Sequence, residues 1–409
     1  MPHQRFPLAI MATTALLALA ACGSPQPPTA VPSGTAVPHG YVAGAAEAGE
    51  AQTRLAYGSP DAGEVSMIDP LTGEEGPTIN APGVQSLQHD GRFVFAGSGP
   101  EAPLRVIDTG VWTVDHGDHK HFYSSPAGEL ESGPELRGGT VAGDGHTVAV
   151  FHGDTGSTSI LHREDLAQGV VKIAATIPGT PHAGLAVPYK GQILVTGSPG
   201  ANKLPNSVGS VDPATLPTAA PSTLSSCPAL QGHASTRHGV VFGCSDGMLL
   251  VGGDAGALTA RKIPYPADGP ADQAMAFGHR PGSSEVAAVA GTAGLWHLDA
   301  ATATMQFIAS PEPLAVASAA GRGSAVLAVG KSGTLYSFNT TTHEVQSRTG
   351  LLPATGQGQA PSLVVDSGRA YLSHPSAKAV HEIDYLDGLR VARTFTTAGL
   401  PSQLVETGQ

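Results

Sequence analysis

The chain has 409 residues, among them 53 glycines and 34 prolines, with only 13% charged residues and a formal net charge of -12. This composition is typical of short strands joined by many turns. Lysine and arginine form no cluster, so nucleic acid is excluded as a partner. The 17 histidines nearly equal the 21 lysines and arginines in number and need an explanation of their own.

The N-terminus has the pattern of an export signal. Arg5 precedes an apolar run from Pro7 to Ala20, and small residues stand before Cys22. The run is shorter than the roughly 20 residues of a membrane-spanning helix, and its basic start and small-residue end predict a secretory signal. Its Leu-Ala-Ala-Cys ending is similar to a bacterial lipobox, which implies cleavage before Cys22 and lipidation of its thiol. The alternative is an ordinary signal peptide cut at the small residues.

Residues 1–22 are therefore predicted to be a lipoprotein signal peptide with its lipidated cysteine. Residues 23–50, rich in Gly, Ser, Pro, Ala and Thr, bury too little apolar surface to fold and are predicted to be a flexible tether. No later segment is long and apolar enough to span a bilayer. We expect an extracytoplasmic protein of the bacterial cell envelope, attached to the membrane through the lipid alone.

Residues 51–409 are predicted to form a single β-propeller domain. A unit of strand, Gly-rich turn, strand, short turn and third strand recurs at about 40 to 50 residues, the period of four-stranded propeller blades. The third strands usually end in Asp or Asn, as in Val65–Asp69, Leu104–Asp108 and Gly294–Asp299. Helical periodicity is not sustained anywhere, which favours an all-β fold.

Eight blades are predicted, with seven as the alternative because the unit at Gly138–Asp165 is less regular. Arg54–Tyr57 resembles a second strand and Gln403–Thr407 a first strand. Joined in one blade, the two would close the ring and remove an open sheet edge. A monomer is expected.

Two cysteines, Cys227 and Cys244, remain after the signal peptide. In a chain that reaches an oxidising compartment they are predicted to form a disulfide. Metal ligation is the alternative, although neither belongs to a CxxC pair.

The densest group of metal-ligand types is the segment Asp115-His-Gly-Asp-His-Lys-His121. His116, Asp118, His119 and His121 are the candidate ligands, because imidazole nitrogen and carboxylate oxygen are the donors that zinc takes in a tetrahedral site. The alternative is a solvated polar loop.

One short loop rarely supplies four ligands, so a further ligand is expected from another blade. His182 is the first choice, followed by His152 and His233, all near the ends of predicted inner strands. The scattered histidines are predicted to be structural: His89, His279, His297, His343, His374 and His381.

Three segments carry a resemblance to a known family: Trp112–Tyr123 with the His/Asp loop, Pro181–Pro188, and Cys227–Ala234 with Val240–Gly247. They resemble the AztD-type zinc metallochaperones, extracytoplasmic β-propellers that hand zinc to the solute-binding protein of a zinc ABC importer. The resemblance implies a zinc role for His116, Asp118, His119 and His121, and for His182.

The function predicted from the sequence is therefore a zinc metallochaperone that is not an enzyme, with Zn2+ as its metal. One alternative is a lactonase-like propeller hydrolase whose metal activates water, with Asp115 as the general base. Another is a metal-free scaffold that binds an envelope protein. No Gly-x-Ser-x-Gly or HExxH motif is present to support a hydrolase.

Overall fold

A computed structural model describes residues 42–216, 220–321, 325–354 and 360–408 of the chain. The predicted signal peptide, Cys22 and residues 23–41 of the predicted tether lie outside these residues. Within them, no helix is long and apolar enough to cross a membrane.

The regular secondary structure of the described chain is almost entirely β-strand. The first strands, in chain order, are β1 (Ala46–Ala48), β2 (Arg54–Ser59), β3 (Glu64–Ile68), β4 (Glu75–Asn80), β5 (Ser86–His89), β6 (Phe93–Gly97), β7 (Arg105–Asp108), β8 (Val111–Asp115), β9 (Lys120–Ser124), β10 (Gly128–Glu129), β11 (Thr140–Gly143), β12 (Thr147–His152), β13 (Ser157–His162), β14 (Ile173–Ile177), β15 (Ala186–Tyr189), β16 (Gln192–Gly197) and β17 (Ser207–Val211).

The remaining strands are β18 (Ser222–Ser226), β19 (Gln231–Thr236), β20 (Gly239–Cys244), β21 (Gly247–Gly252), β22 (Thr259–Ile263), β23 (Glu285–Ala290), β24 (Gly294–Asp299), β25 (Thr304–Ala309), β26 (Leu314–Ala319), β27 (Ala325–Gly330), β28 (Thr334–Asn339), β29 (Val345–Gly350), β30 (Leu363–Val365), β31 (Ala370–His374), β32 (Ala379–Asp384), β33 (Arg390–Thr396) and β34 (Gln403–Thr407). One short helix, α1 (Arg163–Ala167), and two 3-10 turns, Pro213–Thr215 and Pro375–Ala377, accompany them.

In the described residues the strands form nine antiparallel sheets, eight of which follow the predicted repeat. Seven of the eight have four strands and the eighth, β23–β25, has three. Gly278 bridges to Ala287 of β23, where a first strand would otherwise lie. The all-β, propeller-like fold expected from the sequence is thus present.

The last strand pairs with a strand from the beginning of the described residues. β34 pairs with β2, in a sheet of order β34-β2-β3-β4. Arg54 is opposite Thr407 in this pairing, and Gly58 is opposite Gln403. These are the two segments that the sequence suggested as complementary halves of one blade.

The apolar core lies between sheets. Eight clusters of buried side chains are described, each drawn mainly from two of the repeating sheets. One of them joins Leu55 and Tyr57 of β2 to Tyr371 of β31 and Val380 of β32. Alternation along the strands produces this packing, because successive side chains point to opposite faces and each face meets a neighbouring sheet.

The ninth sheet departs from the repeat. It has the order β1-β9-β8 and consists of a hairpin, β8–β9, together with the short strand β1. The hairpin is inserted between β7 and β10, the third and fourth strands of one repeating sheet. β1 falls in the C-terminal part of the segment predicted to be a tether, and it is paired with the hairpin.

Candidate metal centre

The His/Asp loop is the tip of the β8–β9 hairpin. Asp115 is paired with Lys120, and the His116 amide donates to the His119 carbonyl at 2.9 Å. Gly117 has φ 89°, a left-handed conformation that two-residue hairpin loops favour at their first position. Because the turn spans only Gly117 and Asp118, the side chains on its two sides are brought close together.

The base of the hairpin is anchored to the repeating sheets. Trp112 stacks on Tyr123 with ring centroids 5.2 Å apart, and the Arg92 guanidinium lies 3.7 Å from the centroid of the Trp112 ring. Arg92 in turn donates two hydrogen bonds to Asp108, at 2.9 and 2.6 Å. Thr113 donates from its hydroxyl to the Gly408 carbonyl at 2.8 Å. The loop is therefore an exposed tip on a fixed base.

Three imidazoles converge at this tip. One ring nitrogen from each of His116, His119 and His121 lies within 4.8 Å of the others. His119 Nε2 and His121 Nε2 are 3.1 Å apart. His116 and His119 are exposed, whereas His121 is buried. Two nitrogens bound at about 2.0–2.1 Å to a tetrahedral zinc would be about 3.3 Å apart, so this spacing fits the metal.

Carboxylates hold the far sides of two of these rings. Asp118 Oδ1 lies 2.8 Å from His119 Nδ1, and Glu47 Oε1 lies 2.6 Å from His121 Nδ1. A carboxylate only accepts, so each Nδ1 carries the hydrogen, and in a neutral ring Nε2 keeps its lone pair. Metal-binding histidines are commonly oriented in this way by a carboxylate behind them.

Asp115 and Tyr123 flank the cluster. Asp115 accepts from the Gly117 amide at 2.8 Å and pairs with Lys120 at 3.2 Å. The Gly117 amide first and then the Lys120 ammonium lower the pKa of Asp115. Desolvation, followed by the negative charge of Glu47, raises the pKa of Tyr123.

The candidate ligands predicted from the loop divide into two groups. His116, His119 and His121 supply the converging nitrogens. Asp118 lies behind His119, on the Nδ1 side of that ring, with its side chain 83% exposed.

The candidate ligands outside the loop are not part of this three-histidine group. His182 is buried, with Nδ1 2.6 Å from the Thr180 carbonyl oxygen and Nε2 3.0 Å from Thr196 Oγ1. Both of its ring nitrogens are thus engaged by these two threonines.

His152 and His233 have other surroundings again. His152 Nε2 lies 2.9 Å from Ser159 Oγ, and burial lowers the pKa of His152. Burial and then the nearby His279 lower the pKa of His233 to about 4. Neither His152 nor His233 belongs to the three-histidine group of the loop.

The two cysteines of the folded part, Cys227 and Cys244, are joined by a disulfide. Cys227 directly follows β18, which is the last strand of one sheet, and Cys244 ends β20 of the next sheet. The bond therefore links the connection between the two sheets to β20. Bonded to each other, the sulfurs do not serve as thiolate ligands.

Glu47 is the site residue that sequence reasoning missed. It precedes His121 by 74 positions and stands in a segment whose composition predicted no structure. No local pattern marks it, because β1 reaches the hairpin through main-chain pairing, which any sequence can form.

Comparison with known proteins adds to this geometry. No family model matches the chain. Over 218 residues the chain is 29% identical to the zinc chaperone AztD of Citrobacter koseri, a match that covers 52% of this chain and 51% of that protein. The crystal structure of Citrobacter koseri AztD superposes with a TM-score of 0.76 at 21% identity, covering 88% of this chain and 98% of that one.

The chain resembles AztD. This confirms the resemblance expected from the His/Asp loop and its companion segments. A structure of apo AztD from the same organism gives a TM-score of 0.75 at 20% identity, again over 88% of this chain and 98% of the other. At these identities the superpositions establish the fold, and the sequence match spans about half the length of the curated relative.

The fold by itself does not separate a chaperone from an enzyme. Dihydro-heme d1 dehydrogenase NirN superposes with a TM-score of 0.56 at 14% identity, covering 87% of this chain and 75% of that one. The site must therefore supply the functional argument.

Proposed function

We propose that this protein is a zinc metallochaperone that binds zinc through His116, His119 and His121 and passes it to another zinc-binding protein. The observation that carries the proposal is the convergence of three imidazole nitrogens within 4.8 Å at an exposed hairpin tip. The resemblance to the zinc chaperone AztD supports zinc as the cargo.

The donor set suits a carrier. Three neutral imidazoles hold zinc without thiolates and leave a fourth tetrahedral position for water or for a ligand of the acceptor. His116 and His119 are exposed, so an acceptor can displace them first, while the buried His121 holds the ion until the transfer is complete. Asp118, behind His119, supports that ring as its carboxylate partner.

The acceptor we propose is the solute-binding protein of a zinc ABC transporter, as the resemblance implies. The chain would act as a monomer outside the cytoplasm, held at the membrane by a lipid on Cys22. Residues 1–22 would be the signal peptide and lipidated cysteine, and residues 51–409 the folded domain. Of the predicted tether, residues 23–50, the C-terminal part that holds β1 is paired with β9.

We infer that the domain is an eight-bladed propeller whose ring closes in the β34-β2-β3-β4 sheet. Two observations support this: the eight repeating sheets of the described residues, and the cluster in which side chains of β2 pack on β31 and β32. The hairpin would then be an insertion in the second blade.

A metal-dependent hydrolase is the main competing function. Asp115, its candidate base, is engaged by Gly117 and Lys120, and its lowered pKa makes it a poorer proton acceptor. Measuring lactone and ester hydrolysis with the zinc-loaded protein separates the two functions, since the chaperone proposal expects no turnover that depends on the three histidines.

The experiment that tests the proposal is zinc titration against a competing chelator, using the protein without residues 1–22. Replacing His116, His119 and His121 together by Ala is expected to abolish tight binding. A matched control replaces three exposed histidines outside the cluster, His146, His162 and His238, and should bind as the parent does. Transfer of zinc to a metal-free solute-binding protein completes the test.

Failure of the parent protein to bind zinc would overturn the proposal and favour a metal-free scaffold. Binding that survives in the triple variant would place the zinc elsewhere.

A further inference from the structure

The strand β1 brings a carboxylate to the metal centre from a distant part of the sequence. Glu47 is opposite Tyr123 in the β1–β9 pairing, and directly opposite residues of a sheet point to the same face. His121 lies two positions from Tyr123, hence on that face too. Glu47 Oε1 therefore reaches His121 Nδ1, at 2.6 Å.

Glu47 acts on the metal centre through His121. Its contact is with Nδ1, whereas the nitrogen of His121 that faces His119 is Nε2, across the ring. By accepting the Nδ1 hydrogen, the carboxylate fixes the tautomer that presents a lone pair on Nε2. The side chain of His121 is 10% exposed, so its ring is held in that orientation.

Among the described contacts of β1, the Glu47–His121 pair is the side-chain contact with the three-histidine group. The remaining residues of β1, Ala46 and Ala48, are exposed and half-buried respectively, and each offers only a methyl group. Within the described residues, three main-chain pairs with β9 and the Glu47–His121 contact hold this strand to the hairpin. Zinc binding at His121 would therefore affect the docking of β1 through the Glu47–His121 contact.

We propose that Glu47 is a positioning residue of the zinc site, and that docking of β1 on β9 and zinc binding strengthen each other. The inference rests on the proposed function. Linkage is reciprocal, so if docked β1 raises zinc affinity by some factor, zinc stabilises docked β1 by the same factor. Residues that orient a metal ligand typically change metal affinity by about 10- to 100-fold when removed.

The first test compares zinc affinity in four forms of the protein without residues 1–22: parent, Glu47→Ala, Glu47→Gln and Glu50→Ala. Glu47→Ala should weaken binding about 10- to 100-fold. Glu47→Gln keeps a hydrogen-bond acceptor of the same size, so its zinc affinity should lie between those of Glu47→Ala and the parent. Glu50→Ala removes a nearby exposed charge and should stay within about twofold of the parent, which separates positioning from long-range electrostatics.

The second test follows amide hydrogen exchange of residues 46–48 with and without zinc. Zinc should slow exchange there in the parent and leave it unchanged in Glu47→Ala. Equal zinc affinity of Glu47→Ala and parent, or exchange at β1 that zinc does not alter, would overturn this inference while the triple-histidine result still supports the zinc site. A parent protein that binds no zinc would overturn both.

Discussion

Replacing Arg92 by Ala should destabilise the protein and loosen the base of the hairpin. The Arg92 and Asp108 side chains are 10% and 16% exposed and share two hydrogen bonds. Breaking this pair therefore lowers the free energy of unfolding more than breaking a surface ion pair does. Loss of the cation–π contact between the Arg92 guanidinium and the Trp112 ring lowers the free energy of unfolding by roughly a further 0.5–1 kcal/mol. Asp108 keeps the Gly110 amide as a donor at 2.9 Å, which limits the penalty of its unpaired charge.

Together these terms predict a fall of about 3 kcal/mol in the free energy of unfolding. Arg92→Lys keeps the charge but not the two-pronged geometry and should lose about half as much. Urea denaturation of the three forms without zinc measures both values. A loss below about 1 kcal/mol for Arg92→Ala would refute the view that this residue anchors the hairpin base.

Three further predictions concern the metal site, pH and redox state. His121→Ala should weaken zinc binding more than His116→Ala in competition titrations, since the buried ring is held in place and the exposed one is not; equal losses would contradict this. The pKa of His233 is lowered to about 4, so between pH 6.5 and 4 the unfolded chain takes up the proton and the folded chain does not. Stability should fall as the pH drops through that window, by at most about 3 kcal/mol, and His233→Asn should flatten the slope of urea stability against pH. The Cys227–Cys244 bond joins residues 17 positions apart, and reducing it should lower the free energy of unfolding in urea by about 3 kcal/mol. An unchanged urea midpoint after reduction would argue against a stabilising role of the disulfide.

The repeating strands were predictable because the signals that define them are local. The third strands inferred at Val65–Asp69, Leu104–Asp108 and Gly294–Asp299 coincide with β3, β7 and β24 to within about one residue. Alternating apolar residues and turn glycines are properties of neighbouring positions, and they survive in the fold unchanged.

The grouping of the three histidines was predictable for the same reason. A two-residue turn between paired strands places residues on its two sides together, so the spacing of His116, His119 and His121 in the sequence already implies their proximity. Asp118 is adjacent to His119 in the chain and needs no tertiary fold to reach it.

The long-range parts of the site were not predictable. Whether His182 reaches the loop depends on how the tertiary fold orients its side chain. In the structure both of its ring nitrogens contact threonines, Thr180 and Thr196. Glu47 belongs to a segment whose composition resembles a linker, and its role arises from the main-chain pairing of β1 with β9. Neither arrangement follows from residue type or spacing.

The zinc K-edge X-ray absorption spectrum of the protein loaded with one equivalent of zinc tests the central claim most directly. Three imidazole nitrogens at about 2.0–2.1 Å and no sulfur neighbour are expected, and this pattern should disappear in the variant without His116, His119 and His121. A sulfur shell, or an unchanged imidazole shell in that variant, would contradict the assignment of the hairpin tip as the zinc site.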